Sequence, residues 1–180
     1  MDIQKELKGV YRKVRQVITS PQRFFKEFKE KGKRGAVVYW VVLASLGYLF
    51  NYLVQLSKGG KPEAVLFLPL GIVVGFAIML VFAGLFHLYL KVFGVEGSFE
   101  KTLQIYIYSS TPGHLLGWIQ PLGIVTSVWQ IALLFVGVME VHKLTRKRAL
   151  IATGLLLVTV FALVVLASVV FIRILAHLLG

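Results

Sequence analysis

The stretch TLQIYIYSSTPGHLLGWI, residues 102–119, decides the fold. It has the length of a short membrane span and no acid, Lys or Arg, yet Ser109, Ser110, Thr111, Pro112, Gly113 and His114 sit in its middle. Hydrocarbon tolerates a broken helix only where protein or water satisfies the freed backbone groups, so the segment either crosses a bilayer or enters and turns back. Its neighbours are unambiguous. Apolar runs near 36–55, 64–90, 122–141 and 150–172 each reach the length that a spanning helix needs.

Composition agrees with a chain made for lipid. Of 180 residues, 57% are hydrophobic and 16% charged, and the mean hydropathy is +0.79. A soluble domain carries about a quarter of its residues charged. No cysteine is present, which excludes disulfides, thiolate metal sites and cysteine nucleophiles.

Charge placement argues that residues 102–119 cross. If they do, the N-terminal segment, the loop with Lys91 and Lys101, and the loop with Lys143, Arg146, Lys147 and Arg148 share one side. That side then holds seventeen basic residues, and only Lys58, Lys61 and Arg173 lie opposite. If the segment turns back, the division is fourteen to six. Basic residues concentrate in cytoplasmic loops, so the expectation is an all-α, five-span helix bundle with a cytoplasmic N-terminus and an outside C-terminus. Residues 1–34 form a basic cytoplasmic segment and residues 35–180 the transmembrane domain.

The N-terminal segment holds eleven basic residues against four acidic ones. Nucleic-acid binding is a weaker reading of this excess than lipid, because the basic block directly precedes a span. Ile3, Leu7, Val10, Tyr11, Val14, Val17 and Ile18 recur at helical spacing, which predicts an amphipathic helix. Ser20 and Pro21 suit the start of a second short helix, on which Phe24, Phe25 and Phe28 share a face. The expected membrane-surface residues are Lys5, Lys8, Arg12, Lys13, Arg15, Phe24, Phe25 and Phe28, facing anionic lipid in preference to docking on the bundle. No small-residue cleavage site closely follows the first apolar run, which argues against a signal peptide.

Catalytic chemistry finds no foothold. The chain has no phosphate-binding glycine loop, HExxH pair or GxSxG elbow, and its acids lie nearly all in loops or the N-terminal segment. No catalytic, cofactor or metal residues are assigned. Glu140 and His142 stand two apart on different helix faces, so a metal site with His87 is the weaker reading. Glu140 is instead expected to meet Lys143, His87 or the basic loop.

The candidate polar site within the membrane is Tyr106, Tyr108, Ser109, Ser110, Thr111 and His114. Polar groups at a broken helix line binding sites in many transporters. Alternatively, the hydroxyls bond their own backbone and repair the break at Pro112. The second reading is preferred, because no acid stands opposite them at mid-depth in another span.

The order of these features, with Pro21-x-x-Phe24-Phe25, the Tyr106-to-Pro112 stretch, Pro121 with Gly123, and the VHKLTRKRA run from Val141 to Ala149, resembles the Yip family of Ypt/Rab-interacting membrane proteins over about residues 15–175. The resemblance implies a compact five-helix bundle, a cytosolic N-terminus and a homo- or hetero-oligomer. Eukaryotic relatives act in traffic between endoplasmic reticulum and Golgi and associate with Rab GTPases; prokaryotic relatives have no settled function. The chain departs from the eukaryotic pattern: it lacks the long N-terminal region, and Thr19-Ser20-Pro21 stands where an Asp-x-Tyr-Gly-Pro element is common. The expectation is a non-enzymatic protein of a prokaryotic plasma membrane that organises lipid or recruits partners at the cytoplasmic face. A small transporter or channel using the third segment is the alternative, and a lipid-acting enzyme ranks third.

Overall fold

The computed structural model describes residues 3–28 and 32–179, and side chains from residue 7 to 28 and 32 to 178. Among them the regular structure is helical, with no strand. Helices α1 (Ile3–Thr19) and α2 (Pro21–Lys26) precede α3 (Arg34–Ser57), α4 (Leu68–Val92), α5 (Phe99–Ser109), α6 (Thr111–Leu116), α7 (Gly123–His142) and α8 (Arg146–Leu179). A 3-10 turn, Pro62–Phe67, leads directly into α4. Prolines 21, 62, 69, 112 and 121 all stand in the first turn of a helix, where a missing amide costs least.

Four helical stretches are long and apolar enough to cross a bilayer: Arg34–Ser57, Pro62–Val92, Gln120–His142 and Arg146–Leu178. The third segment is not among them. It is split at Ser110 into helices of 11 and 6 residues, about 16 and 9 Å long at 1.5 Å per residue. The expected break is present, and among the described residues no fifth helix reaches spanning length.

This split segment forms the centre of the bundle. From Thr102 to Pro112 every residue is buried except the half-buried Tyr106, with α5 packed against α3, α4 and α7, and α6 against α3 and α7. The surrounding helices turn apolar faces inward: Tyr39, Trp40 and Leu43 from α3, Phe86 and Leu90 from α4, Leu133 and Val138 from α7. Small residues set several approaches. Gly71 and Gly75 lie beneath the Tyr48 ring, and Gly47 lies against the backbone of His114, whereas Gly84, Gly123 and Gly154 border open space.

Helix α8 behaves differently along its length. Ala149, Ala152, Thr153 and Leu156 are buried, but every residue from Phe161 to Leu178 is exposed. Its first half belongs to the bundle and its second half projects from it.

Candidate functional site

The break in the third segment can be read atom by atom. Pro112 has no amide proton, so the carbonyl four residues earlier, that of Tyr108, loses its usual helical partner. The Thr111 hydroxyl replaces it, with Oγ1 donating to the Tyr108 carbonyl at 2.6 Å. Ser110 Oγ donates to the Ile107 carbonyl at 2.7 Å. Thr111 has one hydroxyl proton, already committed, so the 2.7 Å contact between Thr111 Oγ1 and Tyr39 Oη requires Tyr39 to donate. A chain from Tyr39 through Thr111 to Tyr108 therefore ties α3 to both halves of the third segment.

The other candidate residues are placed less uniformly. Ser109 Oγ is buried without a hydrogen-bond partner among the described residues. Tyr106 is half-buried. His114 is also half-buried and meets the Trp40 ring edge-on at 5.4 Å. A cleft of about 220 Å³ at the C-terminal end of α3, lined by Val54, Lys58, Trp118, Ile119, Gln120 and Pro121, includes none of the six.

The second candidate region is the α1–α2 hairpin, which corrects one expectation from the sequence. Phe25 does not face lipid: its ring is 1% exposed and packs on Gly137, where an added Cβ would lie 3.2 Å from it. Val17 is fully buried, and Val10 and Val14 pack on the same core. Phe24 and Phe28 stand half-buried with their rings 5.0 and 5.6 Å from Tyr108. The physical reason is the glycine, whose missing side chain makes room on α7 for an aromatic ring.

Lys13 also turns inward. Its Nζ donates to Tyr108 Oη at 3.1 Å and lies 5.5 Å from the centre of that ring, close enough for a cation–π contribution. Lys8, Arg12 and Arg15 remain exposed, as do Leu7 and Tyr11; the side chain of Lys5 lies outside the described residues. Ser20 makes no side-chain cap, although it precedes Pro21 as expected. Between the two helices runs a cleft of about 610 Å³.

Two contacts were not foreseen. Glu140 meets Gln22 of α2, whose Nε2 donates to Oε1 at 3.1 Å, rather than Lys143, His87 or the basic loop. Thr102 Oγ1 lies 2.8 Å from His87 Nδ1 and 2.9 Å from His142 Nε2. One hydroxyl proton can serve only one ring, so the other ring donates to the oxygen. Among the described residues no group of three His, Asp or Glu is placed to hold a metal ion. Sequence spacing did not signal the Thr102 bridge, which depends on the rotation of three separate helices.

No curated protein and no solved structure matches the chain. A family model does: the Yip1 domain, over residues 15–169. The match runs from α1 into the exposed half of α8 and takes in the third segment with its Tyr108–Thr111 repair. On that extent, together with four helices of membrane-spanning length, the chain belongs to the Yip1 domain family of multi-pass membrane proteins.

Proposed function

We propose that the protein is a non-enzymatic scaffold of a prokaryotic plasma membrane. Its chain crosses five times from a cytoplasmic N-terminus, the third crossing being the split α5–α6 segment. Its work is to organise anionic lipid, or recruit partners, at the cytoplasmic face. The observation that carries this reading is the α1–α2 hairpin: Val17 and Phe25 are held in the core while Lys8, Arg12, Arg15, Arg23 and Lys26 point outward. Each basic residue near an anionic surface contributes about 1 kcal/mol.

Changing Lys8, Arg12, Arg15 and Lys26 together to Glu is expected to reduce severalfold the anionic lipid that co-purifies with the full-length protein. Lipid mass analysis of wild type and variant checks this, and an unchanged ratio of anionic to neutral lipid overturns it.

A conduit through the third segment is less well supported, because the hydroxyls of Ser110 and Thr111 are already used on carbonyls of their own segment. The two readings differ in a measurable way. Cysteines placed at Ser109 or Ser110 are expected to resist a membrane-impermeant thiol reagent applied from either side, while one at the exposed Lys58 reacts readily. Labelling at Ser109 or Ser110 comparable to that at Lys58 would mean a hydrated path and would favour transport.

A further inference from the structure

We propose that the cleft between α1 and α2 is a site for the phosphate-bearing headgroup of an anionic membrane lipid. The inference rests on the scaffold reading and goes beyond it, replacing a diffuse basic surface with one saturable place. Among the described residues, Arg12 and Lys13 from α1 and Arg23 from α2 line the cleft with one carboxylate, Glu27.

Their arrangement suits a phosphate. Glu27 Oε1 accepts a hydrogen bond from Arg23 Nε at 3.0 Å, and the two terminal nitrogens of that guanidinium have no partner among the described residues. Arg12 has no partner among those residues and can turn its planar fork toward the same point; such forks match phosphate oxygens in pairs. Lys13 is positioned from below by its bond to Tyr108.

The walls point to lipid in preference to a small soluble anion. Phe24 and Phe28 form an apolar side of the cleft, and their rings are held by edge-on packing against Tyr108. A volume of about 610 Å³ lies within the range for a bound organic molecule and far exceeds the needs of inorganic phosphate, which would leave the aromatic wall untouched. A glycerol ester attached to the phosphate fills that wall. Helix α1, which supplies Arg12 and Lys13, carries Leu7 and Tyr11 at 51% and 69% exposure, apolar groups suited to the membrane interface.

The test uses full-length protein in nanodiscs of phosphatidylcholine with increasing phosphatidylglycerol, with bound lipid counted by native mass spectrometry. The wild type is expected to retain one phosphatidylglycerol per chain with saturation. Arg12→Gln with Arg23→Gln should weaken retention roughly 30-fold, about fivefold for each basic residue. Arg146→Gln with Lys147→Gln removes the same charge from exposed positions at the start of α8, outside the cleft and the hairpin, and should change it less than threefold. Glu27→Gln should tighten retention, a direction that damage to the fold does not produce.

Equal losses from the two double variants would overturn the cleft while leaving the scaffold reading standing. No enrichment of phosphatidylglycerol in any form of the protein would overturn both. Displacement of the lipid by glycerol 3-phosphate, at concentrations comparable to the lipid's own, would assign the site to a soluble phosphate and overturn the lipid source.

Discussion

Replacing Gly47 with valine is expected to lower the stability of the folded protein by about 3 kcal/mol, read as a shift in the unfolding midpoint on titrating SDS into mild-detergent micelles. A Cβ at this position would lie 2.7 Å from the His114 carbonyl oxygen and 3.4 Å from its Cα. The obstacle is backbone, which no rotamer change can clear. Relief requires α6 to move away from α3, and α6 is tied there by the Tyr39–Thr111 bond. Valine also lowers helix propensity relative to alanine only slightly, so the loss would come from the clash and not from α3 itself. Gly84→Val is the control: its Cβ would meet nothing within 4 Å, and a change within about 0.5 kcal/mol is expected. Equal destabilisation by both variants would show that the α3–α6 approach is not the cause.

Thr111→Val should cost about 2 kcal/mol although the side chain keeps its volume and stays buried. The substitution removes the donor to the Tyr108 carbonyl and the acceptor for the Tyr39 hydroxyl. The carbonyl cannot recover a helical partner, because Pro112 has no amide to offer. Interhelical hydrogen bonds in membranes are commonly worth less than this; here two are lost, and one of them mends the backbone. Thr111→Ser, which keeps the hydroxyl, should lose much less. Tyr39→Phe should lose roughly 1 kcal/mol alone and little in the Thr111→Val background. Additive losses in that double variant would contradict the ordered chain from Tyr39 through Thr111 to Tyr108.

Much of this architecture is legible in the sequence, for reasons that vary with the element. The four long helices follow from uninterrupted apolar runs, a property of neighbouring residues alone. The weakness of the third segment follows from Pro112 and Gly113, and the repair by hydroxyls follows from Ser110 and Thr111 standing beside the proline. The seat of Phe25 does not follow. Periodicity identifies an apolar face, but lipid and protein are equally good covers for it, and the choice rests on Gly137, 112 positions away in the chain. The same applies to Glu140, whose partner Gln22 is brought close only when α2 lies on α7. For the candidate site the sequence identifies the basic residues, and the hairpin's packing separates Lys13, turned onto Tyr108, from Lys8 and Arg15, which stay outside.

Helix α8 has a consequence for where such a protein can reside. Its apolar stretch from Leu150 to Ile172 is about 35 Å long at 1.5 Å per residue, against a hydrocarbon thickness of about 30 Å. The excess must be absorbed by tilt or by local thickening of the bilayer. In α5, α6 and α7 any such adjustment would disturb the Tyr39–Thr111–Tyr108 chain or the seat of Phe25. From Phe161 onward α8 touches little of the protein, so its angle can follow the lipid while the bundle keeps its packing. The exposed half of α8 can therefore tilt with the bilayer without disturbing the Tyr39–Thr111–Tyr108 chain or the seat of Phe25.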